Sequence, residues 1–95
     1  MQITSTHNSL SITGNIKSIH DFQEIKTSLE KILTQEKSVS INLIDSLSIT
    51  SSVIGYLNKL VLKDKIELKI NVGETQLIEL FKDLNLTSVF NITKL

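Results

Sequence analysis

Alternation of polar and apolar residues is the feature that most constrains the fold of this chain. It covers residues 8–16, 39–43 and 66–72. A period of two is typical of a strand with one face buried and the other in solvent. Ile3 indicates a shorter strand before the first of these, so the chain is expected to open with a β-hairpin. A short strand over 89–92 is predicted to close the sheet.

Between these segments the hydrophobic period changes to that of a helix. Over 22–33, 54–61 and 77–84, apolar residues recur every three or four positions and share one helix face. The predicted order is β-β-α-β-α-β-α-β, with helical crossovers between parallel strands after the hairpin. Since the strands alternate, all three helices are expected on one face of a mixed four- to five-stranded sheet. We therefore predict one α/β domain over residues 1–95, with this core: Phe22, Ile25, Leu29, Ile54, Leu57, Leu77 and Phe81 against Leu10, Ile12, Val39, Ile41, Leu43, Leu68 and Ile70.

The helix starts are marked by capping residues. Ser18 and Asp21 have the spacing of a capping box, which predicts that the first helix begins near residue 19. Thr50 is predicted to cap the second helix, because its hydroxyl can accept a hydrogen bond from a backbone N–H. Glu74 is expected in the first turn of the third helix, where the helix dipole favours an acidic side chain.

Composition argues against several function classes. Ten lysines balance ten acidic residues, and arginine, the best bidentate ligand of phosphate and guanine, is absent. We therefore expect no nucleic-acid partner. The chain has no cysteine, which removes disulfides, thiolate metal sites and cysteine nucleophiles. No apolar run reaches the roughly 18 residues of a membrane span and no signal peptide is recognisable, so we expect no membrane insertion and a cytoplasmic location.

No arrangement of residues points to catalysis. His7 and His20 are the only imidazoles, and both are best interpreted as solvated surface groups. Asp21 and Glu24 are spaced as a carboxylate pair, but they fit a helix cap and a solvated charge. The glycines are isolated, which excludes the glycine-rich phosphate loops. We therefore predict no catalytic residue, no metal site and no cofactor, and we expect that the protein is not an enzyme.

Two adjacent serines follow the predicted cap of the second helix. With Thr50 as N-cap, Ser51 and Ser52 occupy the first two helical positions, where their hydroxyls lie near solvent. A phosphate on either would meet free backbone N–H groups and the positive end of the helix dipole. The alternative is that serine and threonine are simply common at helix starts. Tyr56, one turn after Ser52, either anchors the rim of a partner contact or packs as a half-buried side chain.

Three segments resemble the STAS domains, a family that includes the anti-sigma factor antagonists. Residues 49–55, Ile-Thr-Ser-Ser-Val-Ile-Gly, resemble the family's Asp-Ser-Ser-Gly-Leu-Gly at the start of a helix. Residues 12–16, Ile-Thr-Gly-Asn-Ile, resemble its strand ending Leu-Thr-Gly-Glu-Leu. Residues 80–90 resemble its closing helix and Leu-x-x-x-Phe turn. The resemblance spans nearly the whole chain and implies a STAS-like single domain.

The resemblance implies a regulatory binding module. In that family a partner kinase phosphorylates the first serine of the pair, which corresponds to Ser51 here, with Ser52 as the alternative. The unphosphorylated domain binds a serine kinase or anti-sigma factor around this helix start, and the phosphate releases it. The implied interface comprises Thr50, Ser51, Ser52 and Tyr56. The chain differs from the pattern in three places: Thr50 stands for an acidic residue, Val53 for a glycine and Lys17 for an aspartate.

Two other roles remain open at this point. STAS domains also occur as cytoplasmic accessory subunits bound to the ATPase of lipid ABC transporters, which would make that ATPase the partner. A scaffold that is never phosphorylated is the other role.

Overall fold

The structure contains five strands and three helices, in the order predicted from the two hydrophobic periods. The computed structural model describes residues 1–95. Its elements are β1 (Gln2–Ser5), β2 (Ser9–Thr13), α1 (Ile19–Leu33), β3 (Ser38–Leu43), α2 (Ser51–Leu62), β4 (Glu67–Val72), α3 (Thr75–Asp83) and β5 (Ile92–Lys94). None of the three helices combines the length and the apolar character needed to cross a membrane.

The strands form one mixed sheet in the order β1-β2-β3-β4-β5. β1 pairs antiparallel with β2, and every other neighbouring pair is parallel. Leu10, Ile41 and Ile70 stand side by side in the three central strands. Each parallel connection contains one helix, as parallel strands require. The mixed α/β sheet predicted from the sequence is therefore confirmed.

The core lies between the sheet and the three helices. All the predicted core residues are buried except Phe22 and Ile54, which are half-buried. The prediction was wrong at these two positions because each lies at the margin of its apolar stripe. The Phe22 ring stands edge-on to Tyr56, with centroids 6.1 Å apart, at the contact between α1 and α2.

The opposite face of the sheet carries polar side chains that are exposed or half-buried. Four of them form a hydrogen-bonded row across four strands. The Thr93 hydroxyl donates to Asn71 Oδ1 (2.5 Å), Asn71 Nδ2 to Asn42 Oδ1 (2.8 Å), and Asn42 Nδ2 to Ser11 Oγ (3.2 Å). The row ties the short strand β5 to the sheet.

The last two connections differ from prediction. α3 begins at Thr75, so Glu74 precedes the helix as its N-cap residue and makes no side-chain cap. β5 begins at Ile92, and the predicted strand over 89–92 was misplaced. Phe90 is fully buried, packs edge-on against Phe81 at 6.0 Å and donates its N–H to Leu86 O (3.0 Å). Burial of that ring holds the backbone in a turn, and the strand forms only after it.

Candidate functional site

Three loops meet at one edge of the sheet, where β2, β3 and β4 end. They comprise residues 14–18, 44–50 and 73–74. The carboxyl ends of parallel strands are the usual position of binding sites in open α/β sheets. The first turn of α2, which carries the two serines, begins at this edge.

The first two loops are joined by three hydrogen bonds. Asp45 Oδ1 accepts from Gly14 N (2.7 Å), the Ser46 hydroxyl donates to Gly14 O (2.7 Å), and Asn15 Oδ1 accepts from Leu47 N (2.8 Å). Ser46 is fully buried, and every other buried residue has an apolar or aromatic side chain. Gly14 has a φ of +87°, a conformation that side chains other than glycine's disfavour. The loop leading to α2 is therefore held by a neighbouring loop about 30 residues away in sequence.

The loop of residues 73–74 lies against residues 44–50, the segment that follows β3. Gly73 donates its N–H to Leu43 O (2.8 Å). A Cβ atom at Gly73 would stand 2.0 Å from Ile44 O, so only glycine allows this approach of two backbones. The segment after β3 is thus enclosed by loops on both sides.

Thr50 is the N-cap of α2, as predicted. Its Oγ1 accepts a hydrogen bond from Val53 N (3.3 Å), and its backbone is extended. Ser51 and Ser52 occupy the first two helical positions, and both are exposed. Their backbone N–H groups donate no hydrogen bond within the protein. The first turn of α2 therefore presents two hydroxyls and two free N–H groups to solvent.

Large apolar side chains are exposed at the same edge. In the loop that leads to α2, Ile44 retains 43% and Leu47 41% of its accessible surface. Ile19, the first residue of α1, retains 72%. Apolar side chains exposed together at one edge of a domain are a feature of protein interaction surfaces.

Tyr56 belongs to a different environment. Only 9% of the residue is exposed, its ring packs edge-on against Phe22, and Lys26 Nζ lies 5.9 Å from the ring centroid. Burial raises the pKa of its hydroxyl, and the carboxylates of Glu30 and Asp64 add to that effect. The low exposure of Tyr56 fits packing, and its contact with a partner stays a prediction. The exposed part of the predicted interface is Ser51 and Ser52, and Thr50 beside them is half-buried.

The three departures from the STAS pattern have structural counterparts. Thr50 provides the helix cap. Val53, at the glycine position, is a core residue with 2% exposure. Lys17, at the aspartate position, donates its backbone N–H to Asp21 Oδ2 (2.9 Å), and this bond is the main cause of the lowered pKa of Asp21. Asp45 supplies an acidic side chain to the same group of loops.

Sequence reasoning missed Asn15, Asp45 and Ser46. Each forms a hydrogen bond to a residue 31 or 32 positions away, which periodicity does not report. The available signal was that Asp45 and Ser46 follow the end of a central strand by two and three positions. The loops hold no group of three or more histidine, aspartate or glutamate side chains that could share a metal ion.

A scan against protein-family models, a search of curated proteins and a search of solved structures each found no match to this chain.

Proposed function

We propose that this chain is a non-enzymatic regulatory binding module that acts in the cytoplasm. It binds a serine kinase or anti-sigma factor-type partner through the edge that contains Thr50, Ser51 and Ser52. Phosphorylation of Ser51 releases the partner. The observation that carries the proposal is the exposed first turn of α2, whose two hydroxyls no contact within the protein occupies.

The arrangement tolerates a phosphate on the free domain. A phosphoserine adds a charge of about −1.5 to −2 near pH 7. At residue 51 this charge meets the free N–H groups of the first turn and the positive end of the helix dipole. Because Ser51 makes no contact that folding depends on, the modified domain keeps its structure. The energetic effect therefore falls on the partner contact.

The effect on a bound partner is large because the surrounding surface is partly apolar. A partner that covers Ile44 and Leu47 removes water from the neighbouring serines. A dianion left in such a contact without a counter-ion costs several kcal/mol, which corresponds to at least about a hundredfold loss of affinity. Ser51 is chosen over Ser52 because it corresponds to the first serine of the STAS signature.

The test uses wild type, Ser51→Asp and the matched control Ser52→Asp. Each is first used to capture partners from a lysate of the native host. The captured partner is then purified and titrated against all three proteins by calorimetry. We expect Ser51→Asp to weaken binding by about tenfold or more, since aspartate carries part of the phosphate's charge. Ser52→Asp is expected to weaken binding less.

Intact-mass analysis after incubation with the captured kinase and ATP provides the second measurement. We expect one added phosphate on wild type and none on Ser51→Ala. Equal affinities of the three proteins together with no added mass would contradict the switch. Capture of a transporter ATPase under those conditions would instead identify the chain as a constitutive accessory subunit.

A further inference from the structure

The two edge strands of the sheet differ in their protection against pairing with another strand. β5 has three residues and carries Lys94, whose ammonium group donates to Gly73 O. β1 has four residues, with the sequence Gln-Ile-Thr-Ser, and its pairing with β2 contains no bulge. Short strands, charges, prolines and bulges are the features that usually protect an edge. β1 is one residue longer than β5 and has no charge, proline or bulge.

The open backbone groups of β1 belong to Ile3 and Ser5. Thr6 donates its N–H to Ser9 O (2.9 Å), so Thr6 and Ser9 are a hydrogen-bonded pair at the end of the antiparallel ladder between β1 and β2. Bonded and non-bonded pairs alternate along an antiparallel ladder. Gln2 and Thr4 therefore bond to β2, and the N–H and C=O groups of Ile3 and Ser5 point away from the sheet.

We infer that β1 pairs with β1 of a second copy of this chain, antiparallel about a twofold axis. The two sheets then form one sheet of ten strands. With the axis at Thr4, Ile3 of each copy lies opposite Ser5 of the other. The two pairs exchange about four main-chain hydrogen bonds.

Two properties of β1 and the symmetry of the contact favour a second copy as the partner. The strand carries no charge, so self-pairing sets no like charges opposite each other. A twofold axis gives both copies the same contact and closes the assembly at two. The half-buried side chain of Ile3, which packs at the rim of the core, is covered by the added strand. α2 connects β3 to β4, so the dimer leaves its first turn free.

The contact is small, and the dimer is therefore weak. Pairing of two four-residue strands buries less surface than a stable interface needs, so the dimer dissociates readily on dilution. The dimer forms at high protein concentration, or where a larger assembly brings two copies together.

Sedimentation velocity over a range from about 10 µM to about 1 mM tests the inference. The main variant is Ser5→Pro, which removes an outward N–H and leaves the bonds to β2 intact. The twofold axis doubles this loss, and we expect dimerisation to weaken by about tenfold or more. Thr4→Lys places two ammonium groups together at the axis and is expected to weaken it as well. Gln76→Lys adds the same charge on the exposed surface of α3 and is expected to leave it unchanged.

Amide NMR signals provide a readout that needs no variant. With rising concentration, the Ile3 and Ser5 amides are expected to shift and to gain protection from exchange, while Gln2 and Thr4 stay constant. A wild type that stays monomeric at about 1 mM overturns the inference. A dimer with the same dissociation constant in Thr4→Lys also overturns it, whether or not Ser5→Pro folds.

Discussion

The first two residues of α2 and the apolar side chains that follow them lie in opposite environments. Ser51 and Ser52 are exposed, whereas Val53, Tyr56 and Leu57 are buried between the helix and its neighbours. The position of the helix is determined by the buried turns. Ser51 and Ser52 are exposed and lie outside the core, so a charge or a partner at these two side chains leaves the packing of the helix unchanged.

Because of this difference in burial, the exposed and the buried residues of α2 are expected to affect different properties of the protein. Substitutions after Thr50 on the buried side should change the free energy of unfolding. Substitutions at the two serines should change partner affinity and leave stability nearly constant.

The largest effect is expected in the buried turns. Leu57 is 2% exposed, and Leu57→Ala leaves a cavity between α2 and the sheet. We expect a loss of about 2–5 kcal/mol in the free energy of unfolding, measured by urea denaturation. Leu62→Ala is the matched control, because Leu62 belongs to the same helix and is 59% exposed. Its expected effect is below about 0.5 kcal/mol. Similar losses in both variants would show that the helix is rotated from the described position.

A smaller effect is expected at the boundary between the two environments. Thr50→Ala removes the side-chain bond to Val53 N and should cost about 1 kcal/mol by the same denaturation measurement. Thr50→Ser keeps the hydroxyl, and we expect it to retain most of the stability. If the serine variant loses as much as the alanine variant, the cap does not stabilise the helix.

The smallest effect concerns Tyr56 and appears only at alkaline pH. Burial, with a contribution from Glu30 and Asp64, raises the Tyr56 pKa above its ordinary value of 10.0. Above that pH the phenol ionises in the unfolded chain before it ionises in the folded one. Its contribution to stability is therefore present below pH 10.0 and is lost as the pH rises through the folded-state pKa.

Tyr56→Phe isolates this contribution. The Tyr56 hydroxyl makes no hydrogen bond within the protein, so we expect the variant to match wild type within about 0.5 kcal/mol at pH 7. Melting temperatures measured from pH 8 to about 11 should fall less steeply in the variant than in wild type. Identical slopes in the two proteins would mean that the hydroxyl is solvated and that Tyr56 is available to a partner.

Local features were the ones predictable from sequence. The capping box of Ser18 with Asp21 and the cap by Thr50 are both present in the structure. Each involves residues three positions apart, so the amino acids alone specify it. The exposed position of the two serines follows from the cap. The partner and the phosphorylation assigned to them rest on the STAS resemblance and stay predictions.

Features that depend on distant residues were predicted poorly or missed. The strand over 89–92 was misplaced because the core position of the Phe90 ring, against Phe81, outweighs local strand propensity. Tyr56 was left between two interpretations because its exposure depends on Phe22 in another helix. The bonds from Asp45 and Ser46 to Gly14 were missed for the same reason.

The sequence by itself determined the order of the elements, the face that each one buries and the start of two helices. These follow from hydrophobic period and from hydrogen bonds within one turn, and both are local. Only the tertiary structure decided which loops hold the segment that leads to α2, why Gly73 must lie beside Ile44 and which edge of the sheet is open. Such relations depend on where parallel strands end and on how closely two backbones approach, and residues about 30 positions apart set both.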